Sequence, residues 1–244
     1  MGEDPWTTRQ EDFWLLDDPE ARSRFVVNYA VLAPSAQNTQ PWMFAADRRE
    51  IDLFADRRRG LAVSDPDDRQ LTISCGSALF FLTLAMRRFG RLPVVHTFPD
   101  LSNPDHLARV RWGVSKQPTP EVERLFEAIT HPSVQVPMVS QKAPEERLIS
   151  EILADLHSPG ISVTRVLDKS ERAVMSELTA EAKQIQSSDG RFRREWETWN
   201  HPDRKLSRDG WPQKPKSRGR SRRNGRAGSS LKDPLCGDGP ALVV

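Results

Sequence analysis

The sequence is poor in the residues that announce most small-molecule chemistries. Among 244 residues there are two cysteines, one tyrosine and five histidines. Cys75 and Cys236 lie far apart, so they make neither a disulfide framework nor the close spacing of a metal site. No histidine pairs with another at ligand spacing, and no Ser/His/Asp set or close carboxylate pair stands out. Catalytic side chains and metal are therefore both expected to be none. The chain has no G-x-x-x-x-G-K-[ST] and no G-x-G-x-x-G, which excludes those two ways of holding nucleotide phosphate. No apolar run approaches 18 residues and no leader-like segment opens the sequence, so no membrane partner and a cytoplasmic location are expected. Two free thiols fit a reducing interior.

Charge is nearly balanced overall, with 36 basic and 34 acidic residues. It is unevenly spread. From His201 onward there are 11 Lys and Arg against 4 Asp and Glu, whereas residues 1–200 carry 25 against 30. The basic character thus belongs to the C-terminal stretch. Lys214 to Arg226 has no apolar period and reads as a solvated tail. Such a run can meet phosphate backbones electrostatically, but it holds no aromatic for base stacking, so nucleic acid is not the expected partner. Three regions follow: an acidic, Trp-bearing arm over 1–20, an α+β body over 21–204, and a basic, disordered tail over 205–244.

Within the body, helical spacing predicts helices over 21–33, 69–89, 120–129, 144–156, 169–185 and 192–199. Short alternating runs predict strands over 43–46, 51–54, 93–98, 106–112 and 161–166, the first two turned at Asp47–Glu50. The elements intermix without a βαβ repeat, which favours α+β over a doubly wound sheet. Asp65-Pro66-Asp67-Asp68 is a helix start. Cys75 lies in the apolar stripe of the following helix, as a buried small hydrophobe. Arg57, Arg58 and Arg59 form a charged turn, either a solvated surface or an anion contact.

The densest stretch is Ala33-Pro34-Ser35-Ala36-Gln37-Asn38-Thr39-Gln40-Pro41-Trp42. Two prolines bracket small and amide side chains between a helix and a strand. Spacing alone allows an ordinary helix-to-strand connection. It also allows a loop with accessible backbone N–H groups, suited to a flat, polar-edged heterocycle.

This stretch resembles the A-P-S-x-x-N-x-Q-P-W signature of the flavin-dependent nitroreductase superfamily. Asp65 to Leu79 resembles the D-P-x-x-R-x-L-x-I-S-C-G-x-A-L run of its Acg-like branch, and Asp209-Gly210-Trp211-Pro212 resembles the D-G-x-P of the same branch. The resemblance implies a nitroreductase-like fold, with a mixed or antiparallel sheet flanked by helices and an incomplete second half. It implies FMN as cofactor and NAD(P)H as reductant, with hydride passed through the flavin to a nitroaromatic or quinone-like small-molecule electron acceptor. Pro34, Ser35, Ala36, Asn38 and Gln40 would face the flavin, and Trp42 would pack beneath the loop. A homodimer is one arrangement that would complete the site.

Two departures from the family pattern stand out. Where the family carries an arginine-rich phosphate arm, this chain reads Ile129 to Pro137, leaving His131, Ser133 and Gln135 as polar candidates. Two lost charged hydrogen bonds, at roughly 1.5–3 kcal/mol each, would weaken FMN binding by on the order of two to four decades. Related chains also continue for about another hundred residues, so truncation or an altered reading frame is expected near the end. The alternatives are a catalytically weak or inactive flavin-binding or sequestering protein, or a protein that engages nucleic acid through its tail.

Overall fold

The computed structural model describes residues 5–130, 145–155, 163–201 and 207–210. They fall into two units. The first comprises residues up to 132 together with 194–215, and the second runs from 133 to 193 with the remaining C-terminal residues.

The first unit is built on a long helix and a four-stranded sheet. Helix α1 (Pro19–Ala30) starts with Pro19 in its first turn, and the Asp18 carboxylate accepts from the Ala21 N–H at 3.2 Å. It ends one turn earlier than the expected Ala33. Strands β1 (Trp42–Ala46) and β2 (Glu50–Ala55) form the expected hairpin. Asp47 closes its turn by accepting from the Arg49 and Glu50 N–H groups at 2.6 and 2.8 Å. Helix α2 (Arg69–Arg88) runs the length of the unit. Its start is held by buried Asp65, whose carboxylate accepts from the Gln70 and Leu71 N–H groups at 3.0 and 2.9 Å. Gly90, at φ 76°, turns the chain into β3 (Arg91–Thr97), which pairs with β4 (His106–Ser115). Helix α3 (Pro120–Thr130) follows.

The sheet order is β1-β2-β4-β3 and every pairing is antiparallel. Alternation in β2 sends Ile51, Leu53 and Ala55 to the core and Glu50, Asp52 and Phe54 to the other face. The helices pack on the core face. One buried cluster joins α1, the end of α2, and α3 through Phe25, Tyr29, Met86, Phe89 and Phe126. The N-terminal arm adds Phe13, which stacks on Phe89 at 4.2 Å between ring centroids. The Tyr29 hydroxyl is buried in this cluster without a hydrogen-bond partner among the described residues, and burial pushes its pKa up to about 12. The second cluster gathers Ala33, Trp42, Leu53, Leu71, Cys75 and Ala78 directly under the 33–42 loop. Helix α2 has the length and composition of a membrane-crossing segment. Here it is the core helix, touching α1, α3 and three strands.

On the opposite sheet face, Asp52 binds Arg109 through two nitrogens at 2.8 and 3.1 Å and His106 at 2.9 Å. Burial raises the Asp52 pKa, but the hydrogen bonds from Arg109 and His106 outweigh it and hold the carboxyl below the usual range.

The second unit contains α4 (Glu146–Asp155) and α5 (Lys169–Ser188). Asp168 caps α5 by accepting from the Ser170 and Glu171 N–H groups at 2.8 and 3.0 Å. The strand expected over 161–166 does not form over its described residues. Val163 and Thr164 are irregular and Arg165 makes a single bridge, with its guanidinium paired to Glu146 of α4. Helix α6 (Gly190–Trp199) spans the boundary of the two units. The α+β class and an antiparallel, helix-packed sheet are thus borne out. Residues 211–244 of the expected tail lie outside the described residues.

Candidate functional site

Loop 31–41 leaves α1 through two tightened turns, Leu32 N–H to the Tyr29 oxygen and Ala33 N–H to the Ala30 oxygen, and is then strained. Gln37, Asn38 and Gln40 have φ of 48°, 52° and 51°. Asn visits this left-handed region readily, but two Gln residues there are uncommon and cost of order 1–3 kcal/mol each. Such backbone persists only where surrounding contacts over-determine it.

Those contacts are identifiable. Ser35 is the first, its hydroxyl accepting from the Gln40 N–H at 2.9 Å. From α2, the Ser74 hydroxyl accepts from the Ala36 N–H at 3.1 Å, and the Cys75 thiol donates to the Pro41 oxygen at 3.2 Å. Inside the loop, the Asn38 and Thr39 N–H groups donate to the Ser35 and Ala36 oxygens at 2.9 and 3.0 Å. The backbone N–H groups of residues 36, 38, 39 and 40 are therefore already bonded. The expectation of accessible backbone donors does not hold at these positions, because the turn geometry consumes them.

The side chains are arranged differently. Asn38 Nδ2 donates to the Gly210 oxygen at 3.1 Å, and Gln40 Nε2 donates to the Arg208 oxygen at 2.7 Å. In return, the Gly210 N–H donates to the Asn38 oxygen at 2.9 Å. Segment 207–210 thus occupies the amide edge of the loop. Arg208 and Gly210 take φ of 58° and 65° to present those carbonyls. Arg59 locks the contact. Its Nε donates to the Thr39 oxygen at 2.7 Å, its Nη2 bonds the Asp209 carboxylate, and its guanidinium lies 5.6 Å from the centroid of the Trp199 ring. Ser207 Oγ donates to the other Asp209 oxygen at 2.5 Å.

One polar atom of the loop stands apart. Gln37 Oε1 is buried and accepts no hydrogen bond among the described residues. An orphaned buried acceptor is costly and marks a place where a donor belongs.

Of the expected site residues, Pro34 is exposed, and Ser35, Ala36, Asn38 and Gln40 sit together on the loop. Trp42 is buried beneath it, 7% exposed, beside Cys75 and Leu71. His131 and Ser133 lie outside the described residues. Two residues escaped the sequence reading. Gln37 occupies an unspecified position of the motif. Arg59 was one of three adjacent arginines, and only the structure distinguishes it from Arg57, which pairs with Asp68 and Asp105, and Arg58, which pairs with Asp56. Cys75, packed under the loop, has its thiol pushed by burial to about 12, so it is a structural donor and not a nucleophile.

Fold and loop together define an α+β protein with a strained, amide-bearing corner clamped by helix α2. No family model matches the chain. Among curated proteins, it is 39% identical over 93 residues to a Mycobacterium tuberculosis protein named "Putative NAD(P)H nitroreductase Rv3131", covering 38% of this chain and 27% of the relative. It is 36% identical over 84 residues to "Putative NAD(P)H nitroreductase acg" of the same organism, covering 34% of this chain and 25% of the relative. A third relative there, "Uncharacterized protein Rv3127", is 36% identical over 87 residues. The matched stretch of the chain spans about a quarter of the length of these relatives. Over that stretch the chain is homologous to Acg-like proteins, and the likeness supports the nitroreductase superfamily, Acg-like branch.

Proposed function

We propose that the chain is a nitroreductase-type oxidoreductase that binds FMN at the 33–42 loop. The observation that carries this reading is the buried, unpartnered Gln37 Oε1 within a loop held in left-handed backbone. A polar-edged heterocycle offers the missing donor, and strain held by neighbouring contacts is a recurrent mark of ligand sites. When bound, FMN supplies hydride acceptance from NAD(P)H and delivery to a nitroaromatic or quinone-like small molecule. The protein groups bind and orient. Gln37, Asn38 and Gln40 provide amide hydrogen bonds, Pro34, Ser35 and Ala36 keep the approach free of bulk, and Trp42 with Cys75 supports the loop from below. His131 and Ser133 are assigned toward the phosphate, and a second copy of the chain is the proposed means of completing the site.

The occupation of the Asn38 and Gln40 amides by segment 207–210 favours a second reading, a flavin-binding protein of weak or no turnover. Both readings predict quenching of FMN fluorescence by the pure protein and a raised melting temperature. NADPH-dependent bleaching of the bound flavin, with reduction of a nitroaromatic, separates the first from the second. Absence of quenching and of thermal protection at millimolar FMN would refute both.

A further inference from the structure

Away from the loop, a cleft of about 580 Å³ opens between the N-terminal arm, the start of α1, the end of α2 and β4. It shares no residue with the 33–42 loop. Its lining carries four arginines, Arg22, Arg48, Arg88 and Arg91, against one carboxylate, Glu123. Five arginines elsewhere in this unit, Arg57, Arg58, Arg59, Arg109 and Arg111, pair with carboxylates. Three of the four cleft arginines have no such pair among the described residues. Arg22 Nε donates to the neutral Leu16 oxygen at 2.7 Å and Arg88 Nη2 to the amide oxygen of Gln10 at 3.0 Å. Arg48 has only the exposed Asp18 at 3.8 Å. Among the described residues, Arg22, Arg88 and Arg91 make no ion pair. Four guanidinium groups gathered around a concavity set a positive potential and a forked donor geometry matched to carboxylate or phosphate.

The walls are aromatic. Phe13 and Phe89 form the stacked floor, and Trp112 is fixed by donating its Nε1–H to the Ser23 hydroxyl at 2.8 Å. Trp14 meets Phe13 edge-on at 5.1 Å yet stays 62% exposed at the rim. An indole held at the mouth of a charged cleft offers a flat apolar face to a ring. The volume suits a ligand of one or two rings.

We propose that this cleft binds a planar aromatic anion, a ring bearing a carboxylate or phosphate. The proposal stands independently of the flavin reading. Calorimetric titration of the full chain with salicylate and with 5′-AMP tests it and separates an aryl carboxylate from a nucleotide. At least one probe is expected to bind with a Kd below about 1 mM at low salt, weakening as salt rises. Arg48 and Arg91 are exposed, so Arg48→Glu with Arg91→Glu should fold normally and weaken binding at least about tenfold. Trp14→Ala should weaken the ring-bearing probes and leave inorganic phosphate unaffected. Failure of both probes to bind, indifference to the double charge reversal, or inorganic phosphate binding as tightly as 5′-AMP would overturn the proposal. FMN also carries a ring and a phosphate. Flavin binding that survives the double variant is therefore binding at the loop.

Discussion

Removing the Asp209 carboxylate should release segment 207–210 from the loop. The hydrogen bonds that hold the segment through its backbone include those from Gly210 N–H, Asn38 Nδ2 and Gln40 Nε2. At about 1 kcal/mol net each these contribute about 3 kcal/mol. The Asp209–Arg59 contact adds roughly 1.5–3 kcal/mol as a charged hydrogen bond. Ordering four residues costs roughly 4–8 kcal/mol at 1–2 kcal/mol each. Among these contacts the charged one is the strongest, so its loss should favour release. In Asp209→Ala, hydrogen exchange at the Gly210 amide should accelerate by roughly 10- to 140-fold, while amides in the middle of α2 keep their protection. Since the Asn38 and Gln40 amides cannot serve the segment and a ligand together, FMN affinity should rise by up to the same factor. Unchanged Gly210 protection would show that the segment is held by something other than this latch. Faster exchange with weaker FMN binding would show that the segment is part of the cradle and not its competitor.

Trp42→Ala should destabilise the first unit by about 3–5 kcal/mol, read as a lower urea midpoint, because the indole is 7% exposed and fills the cluster under the loop. Cys75, with its thiol pushed to about 12, should resist iodoacetamide at pH 8 in the folded protein and react only on unfolding, as peptide mass spectrometry will show. Asp52 has its pKa lowered in the fold, so its contribution to stability is present above the unfolded value of about 3.9 and is lost as pH falls through the folded one. Asp52→Asn should therefore lower the urea midpoint at pH 7 and flatten its decline toward pH 3. Gly113→Ala should destabilise by about 1–3 kcal/mol, since a Cβ there would collide with the Leu92 backbone oxygen across the β3–β4 bulge; a melt matching wild type would refute this.

Most of the elements could be read from local pattern. Leu71, Cys75, Ala78, Leu82 and Ala85 repeat at the helical period that α2 buries. Asp65 to Asp68 marks a helix start by turn and capping chemistry, whereas α1 begins at Pro19, two residues before the expected 21. Ile51, Leu53 and Ala55 alternate as a half-buried strand must. What stayed hidden depends on contacts distant in sequence. No periodicity tells that β2 pairs with β4 across the whole of α2, so Asp52 could not be foreseen as the partner of His106 and Arg109. The run Arg57-Arg58-Arg59 is uniform as sequence. The short turn that Asp56 caps points one arginine at the loop and two away from it. Val163 and Thr164 have strand-forming character but no paired strand among the described residues, and an alternating pattern needs a neighbouring edge to become a strand.

The three motifs that resemble the Acg-like branch meet at one place, and the hydrogen bonds explain why they occur together. Left-handed backbone at Gln37, Asn38 and Gln40 is unfavourable alone, so the 33–42 loop needs partners that fix it from outside. The Asp65–Leu79 motif supplies two of them, Ser74 to the Ala36 N–H and Cys75 to the Pro41 oxygen, and Asp65 places both by fixing where α2 begins. Ser74 and Cys75 of that motif thus face the loop, whereas Gly76 is exposed and a Cβ there would meet nothing. The Asp209-Gly210 motif supplies the third. Gly210 takes a positive φ at which its carbonyl and N–H both meet Asn38, while Asp209 reaches Arg59. A change in any one motif removes a restraint on the same five-residue corner. The Ser, Cys, Asp and Gly of the second and third motifs thus act through the geometry of the first, and the only buried polar atom of the corner that the described residues leave without a partner is Gln37 Oε1.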